Sequence, residues 1–273
     1  MSRWRRAGAG GRVAAGAVGV VAIWWLLAAT VLRNVGAASA DGGGGSIPTP
    51  ARVLSTAITD GFSFYGPNVS LTLREAALGY VFGNLIAIAL AAAVMVIRQL
   101  EGVVSQFAVV TYCIPIVAIG PILRILIDPP QSGEVAGTAV FLAGMLVFFT
   151  TVVGALLGLK AADKAALDLV AAYGGSRWQQ LVKVRLIAAI PSLLTALKVA
   201  APSAFLGAVL GEYLGGVDVG VGPALINAQQ TLQIPRTWGI ALVAGLVSLA
   251  GYLIVALIGR FAAPWAAGAK EGR

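Results

Sequence analysis

The sequence predicts an all-α integral membrane protein with six membrane-crossing helices, and three observations carry that prediction. Apolar residues make up 59% of the 273 residues and charged residues 11%, whereas a soluble domain is about one quarter charged. The mean hydropathy is +0.90. The apolar residues gather in stretches of about 20 or more, the length of helix that crosses a hydrocarbon core.

The stretches fall at Val13–Leu32, Val69–Ile97, Val103–Ile127, Val135–Leu159, Ser192–Leu214 and Trp238–Gly259. The net charge of +8 does not indicate nucleic acid, because the basic residues sit at the ends of these runs and not in one patch between aromatics. With no histidine and a single cysteine, Cys113, inside an apolar run, the chain lacks the residues for disulfides, zinc sites or histidine acid–base catalysis. No catalytic residue, metal ligand or cofactor of its own is expected.

Lys and Arg near span ends favour the cytoplasm. With the N-terminus inside, the inner segments hold Arg3, Arg5, Arg6, Arg12, Arg98, Lys160, Lys164, Arg177, Lys183, Arg185, Arg260, Lys270 and Arg273, and the outer ones only Arg33, Arg52 and Arg236. Both termini are therefore expected to be cytoplasmic. Ala38-Ser39-Ala40 after the first run imitates a signal cleavage site. That run exceeds a signal peptide's apolar region and five more follow, so an uncleaved first span is expected. The chain then divides into a tail and first helix (1–35), an extracytoplasmic linker and short amphipathic helix (36–68), a five-helix core (69–262) and a cytoplasmic tail (263–273). Gly36–Pro50 has no periodicity and reads as a flexible linker. Val53, Leu54, Ala57 and Ile58 at helical spacing predict the amphipathic helix that follows.

Between the fourth and fifth spans, residues 160–191 read KAADKAALDLVAAYGGSRWQQLVKVRLIAAIP. Ala161–Tyr173 is rich in helix formers, with Ala166, Leu169, Val170 and Tyr173 on one face. Gly174-Gly175 ends that helix, since glycine reaches positive φ without steric cost. Ser176 with Gln179 is a capping-box spacing that starts a second helix, on which Trp178, Leu181, Val182 and Leu186 share a face. Pro191 is expected to bend the chain into the fifth span. The projection thus carries an apolar stripe covered either by this chain's own helix ends or by a partner.

These residues resemble the inner-membrane permeases of binding-protein-dependent ABC importers, in the nitrate, sulfonate, taurine and bicarbonate branch. Their cytoplasmic "EAA" loop runs E-A-A, three residues, Gly, nine residues, Ile-x-Leu-Pro. Asp168 stands at the Glu position, Gly174 at the Gly, and Val184 and Leu186 at the Ile and Leu. Leu169 and Val170 replace the alanines and Ile187 the proline, while Pro191 matches a second proline of the branch. IPTPARVL, SLTLREAALGYVFGNLIAIAL and GEYLGGVDVGVGPALINAQQ also look like branch patterns; the third-span region matches loosely, with Asp128-Pro129-Pro130 where relatives often have Trp-Phe-Gly.

The resemblance implies a type I importer permease fold, similar to the methionine importer's, with cytoplasmic coupling helices, in the bacterial inner membrane. Asp168, Tyr173, Gly174, Gly175, Ser176, Trp178 and Leu186 would form or shape the coupling element. The partners it implies are an ABC ATPase that binds ATP and magnesium, an extracytoplasmic solute-binding protein that selects the substrate, a second permease copy or a non-identical permease, and membrane lipid.

Charges inside spans are costly and each needs a reason. Arg124 has Asp128 four residues on, which predicts a local ion pair; an anion-attracting gate is the alternative. Glu212, among Gly211, Gly215 and Gly216, serves either a pathway gate or helix packing. Arg74 and Glu75 are expected at the outer interface. Asn84, Thr111, Tyr112, Thr150, Thr151 and Ser203 either line a path or hydrogen-bond within the helices, and Tyr112 is the leading lining candidate because Pro115 follows it. Gly79, Gly83, Gly154 and Gly158 at small-xxx-small spacing predict close helix packing. An ion-coupled transporter would want ionisable groups near the midplane and an intramembrane enzyme a nucleophile with its base; the sequence offers neither.

Overall fold

The structure is a computed structural model describing residues 2–97 and 99–264; Arg98, Lys270, Arg273 and most of the expected C-terminal tail lie outside them. The helices are α1 (Ser2–Ala29), α2 (Pro50–Val96), α3 (Leu100–Cys113), α4 (Ile116–Leu126), α5 (Gly137–Lys160), α6 (Lys164–Ala172), α7 (Arg177–Gln180), a π-helical turn (Leu181–Arg185), α8 (Leu186–Gly215), α9 (Val221–Gln230) and α10 (Ile234–Ala262). The chain divides into two compact units, Met1–Gly66 with Ala224–Val243 and Pro67–Pro223 with Ala244–Arg273.

Among the described residues four helices are long and apolar enough to cross a membrane, and five if the bent pair α3–α4 counts as one crossing. Six were expected. The apolar part of α1, Ala14–Ala29, is shorter than a full span. The expected third span is broken by a 92° bend between Cys113 and Ile116. Pro115 has no N–H to continue α3 and forces its predecessor out of the helical region, and Ile114 is extended at φ −70°, ψ 124°.

In the second unit α5 is the most buried helix, with Leu142, Ala143, Val147 and Val152 fully covered. Small residues make this possible. A Cβ on Gly83 of α2 would stand 2.5 Å from the carbonyl oxygen of Gly144, and one on Gly211 of α8 2.3 Å from Ala139 Cα. Gly79, Gly154 and Gly158 face Ala143, Ala196 and Ala189 with similarly little room, so the small-residue spacing does mark the helix seams. Pro191 does not begin the fifth span's helix: it lies inside α8, and the hydrogen-bond pattern changes earlier, where the Leu186 N–H donates to the Leu181 carbonyl in the π-helical turn. A π turn shifts the hydrogen-bond register by one residue, a change no proline is needed to make.

In the first unit, segment 36–49 is not the open linker its composition suggested. The amides of Gly45 and Ser46 donate to the carbonyls of Arg33 and Val35, at 2.8 Å each, and Trp238 Nε1 donates to the Ser46 carbonyl. Trp24 stacks on Trp238 at 5.4 Å and donates to the Pro48 carbonyl. Gly36 and Gly44, at φ 81° and 117°, supply turns that other residues resist. Helix α2 opens where the amphipathic helix was expected and is interrupted at Gly61 (φ 59°, ψ −169°). Just before that break Asp60 takes a two-pronged ion pair from Arg236, whose guanidinium also covers the Phe64 ring.

Candidate coupling and pathway sites

The segment between α5 and α8 folds as the helix, glycine turn and helix that its sequence specifies. Asp163 caps α6 by accepting from the Ala165 amide; this cap was missed, although an Asp directly before a run of helix formers signals one. At the other end the Gly175 N–H donates to the Val170 carbonyl (2.8 Å) and the Gly174 N–H to the Ala171 carbonyl (2.9 Å). This pair of bonds is a Schellman turn, whose central residue must be left-handed. Gly174 has φ 74°, and a Cβ there would meet nothing within 4 Å. Gly175 is needed for a different reason: its Cβ would come 2.6 Å from the Val170 carbonyl oxygen. Ser176 then caps α7 in a complete capping box, accepting from the Gln179 amide while Gln179 Oε1 accepts from the Ser176 amide.

The apolar stripe is largely uncovered. Tyr173 is 86% exposed, Trp178 63%, Leu169 58% and Leu186 42%, whereas Leu181 is buried. Asp168 is also exposed. The chain's own helix ends therefore cover one side chain of the stripe and leave the large aromatic ones open.

Most of the polar candidates for a pathway are used in holding helices. Thr111, Thr150 and Ser203 donate to carbonyls four residues back in their own helices. Asn84 and Thr151 hydrogen-bond to each other at 2.6 Å, tying α2 to α5. Tyr112 is exposed and stacks on Phe149 at 4.2 Å, just before the bend. Arg124 does not pair with Asp128. Helix α4 ends at Leu126 and Ile127 is extended, so Asp128 is not one helical turn away, and the guanidinium lies against Gly216 instead.

Glu212 is buried, 1% exposed, and both its carboxyl oxygens are occupied. Oε1 accepts from Thr72 Oγ1 at 2.5 Å and Oε2 from the Gly222 amide at 2.7 Å. Glu75 is fully buried as well, contrary to its expected place at the interface. It stands one helical turn beyond Thr72, on the inward face of α2, while the adjacent Arg74 faces outward.

Comparison with known proteins gives a consistent picture. A family model described as binding-protein-dependent transport system inner membrane component matches residues 83–267. A probable ABC transporter permease protein of Haemophilus influenzae is 28% identical over 69% of this chain and 74% of its own length. The formylaminopyrimidine transport permease protein ThiX of Halalkalibacterium halodurans is 23% identical, covering 80% and 85%. A putative aliphatic sulfonates transport permease protein, SsuC of Bacillus subtilis, is 24% identical, covering 88% and 78%. The fold is similar to that in the crystal structure of an amino acid ABC transporter with histidines, with a TM-score of 0.59 at 16% identity over 76% of this chain and 97% of that one.

Proposed function

The chain belongs to the family of binding-protein-dependent transport system inner membrane components, permease subunits of ABC importers, and we propose that residues 164–186 are its grip for a separate ATPase. The observation behind this is the uncovered stripe of Leu169, Tyr173, Trp178 and Leu186 on a rigidly capped projection. Apolar side chains of this size exposed together mark a contact surface, and buried aromatic anchors dominate protein interfaces. The chain is a multi-pass membrane protein and a transport subunit, not a catalytic one. ATP and magnesium are bound by the ATPase, and closure of an ATPase pair moves two such projections, one on each permease subunit.

Six crossings complete the proposed topology, with α1 as the first and the bent pair α3–α4 as the third. Both termini and residues 160–191 then face the cytoplasm, as the Lys and Arg distribution favours. The relatives are named for unlike cargos, a formylaminopyrimidine and aliphatic sulfonates. We therefore assign substrate choice to the extracytoplasmic binding protein and leave this chain the pathway. Tyr112 beside the α3–α4 bend and Arg124 against Gly216 are the pathway residues of this reading.

Purification of the tagged chain with its neighbours tests the assignment. An ATPase subunit should co-purify with the wild-type chain and be lost from Trp178→Ala, while membrane insertion is unchanged. ATP-independent solute flux through the chain alone would refute it and favour an ion-coupled carrier.

A further inference from the structure

The buried pair Glu75 and Glu212 is used neither by the coupling projection nor by the pathway residues. Glu75 stands one helical turn from Thr72, whose hydroxyl donates to Glu212, so the two carboxyl groups belong to one cluster, and both residues are closed off from solvent, at 0% and 1% exposure. Three of their four oxygens already accept a hydrogen bond. Glu75 Oε1 takes the Ala136 amide at 2.7 Å, Glu212 Oε1 takes Thr72 Oγ1, and Glu212 Oε2 takes the Gly222 amide. Only Glu75 Oε2 has no donor.

Two ionised carboxylates can accept but not donate, so neither can satisfy the other. Nor does a cation form an ion pair with either carboxyl in the described residues. Among the described residues, the ion pairs are Arg52–Asp41, Lys160–Glu101 and Arg236–Asp60, and Arg74 points out of the cluster. Two like charges buried side by side would also repel in a medium that screens them little.

We infer that Glu75 and Glu212 form a proton-binding site, with the proton carried on Glu75 Oε2 and donated to Glu212. The assignment to Glu75 follows from the donors already in place. Both Glu212 oxygens face donors and keep their negative charge satisfied, and each has a second lone pair for one more bond. The proton completes a network that ties α2 to three separate backbone points. Thr72 accepts from the Val221 amide at 3.0 Å, Asn68 from Gly220 at 3.0 Å, and Glu75 from Ala136 just ahead of α5. A Cβ on Gly220 would fall 2.5 Å from the Glu212 carboxyl carbon, so the turn after α8 is shaped around this pair.

Infrared difference spectroscopy on the assembled importer in lipid nanodiscs tests the site. The wild type should give a protonated-carboxyl C=O band that is absent from Glu75→Gln and retained in Glu212→Gln. In Glu75→Gln the amide N–H replaces the O–H as donor, so its thermal midpoint should match the wild type, whereas Glu75→Leu should fall below it. An unchanged band in Glu75→Gln, or a band lost only from Glu212→Gln, would overturn the assignment. So would a Glu75→Gln importer as unstable as Glu75→Leu.

Discussion

Helices α6 and α9 end in the same backbone motif, yet the two ends are held in opposite ways. At the end of α9 the Gln233 amide donates to the Ala228 carbonyl and the Leu232 amide to that of Gln229, the same two bonds that close α6 around Gly174. The left-handed residue there is Leu232, at φ 54°, the only non-glycine with positive φ among the described residues. Such a conformation costs a side-chain-bearing residue about 1–2 kcal/mol, and it persists where the surroundings over-determine it. Here the Leu232 carbonyl accepts from the Ala40 amide at 2.9 Å and from the Ser39 hydroxyl. Gly174 takes the same geometry without strain and without any neighbour. One turn is fixed by tertiary contact. The other is self-sufficient and open, which suits the proposed role of a surface gripped by another protein.

The largest effect that comparison predicts is at Gly174. Gly174→Val meets no clash but must hold a β-branched residue left-handed, which shifts the turn by at least the 1–2 kcal/mol of that conformation, about tenfold or more in population. Uptake and substrate-stimulated ATPase activity should be lost while the protein still inserts, as a transport assay beside a membrane-fraction blot would record. Normal coupling in this variant would break the comparison. Next is Trp178→Ala, which leaves the fold intact because the indole is exposed. An anchor of this kind contributes about 2 kcal/mol or more to an interface, so ATPase affinity should fall roughly thirtyfold in a titration of the purified partners.

Smaller changes are expected at the α9 turn. Leu232→Gly releases the left-handed strain but adds chain entropy to the unfolded state, a net gain of about 1 kcal/mol or less in thermal stability. Gly174→Ala should move the other way. If both shift stability equally and in the same direction, the two turns are not distinguished as claimed. Smallest of all is the acid response of the loop that holds Leu232. The Ser39 hydroxyl and the Arg52 guanidinium beside it keep the Asp41 carboxyl down at about 2, from an ordinary 3.8. A depressed folded-state carboxyl stabilises above its unfolded value, and that contribution is lost as pH falls from about 4 towards 2. The Asp41 side chain is half exposed, so solvent screens the effect. Arg52→Ala should flatten the melting temperature over this range.

How much of this was legible in the sequence depended on whether the cause was local. The α6 turn could be read because Gly174-Gly175 and Ser176 with Gln179 carry their own geometry; Pro115 signals the α3–α4 break by removing a donor, although Val103–Ile127 was expected as one span. The small-residue seams followed from spacing alone. Leu232 gave no such signal: nothing in a leucine announces a left-handed turn whose support comes from Ser39 and Ala40, nearly two hundred residues away in the chain. Glu75 and Glu212 are likewise brought together only by packing of α2 against α8. Arg124 and Asp128 were misread because the i, i+4 rule presumes a helix that in fact stops at Leu126, and Pro191 does not mark a helix start because α8 already begins at Leu186.

The central claim is that the open turn, not the fixed one, meets the ATPase. A photo-crosslinking amino acid placed at Tyr173, and separately at Leu232, in the assembled importer within membranes compares them directly. A covalent adduct with the ATPase subunit from position 173 and none from position 232 is the predicted result. Adducts at position 173 only with the extracytoplasmic binding protein, or with no ATPase at all, would contradict it.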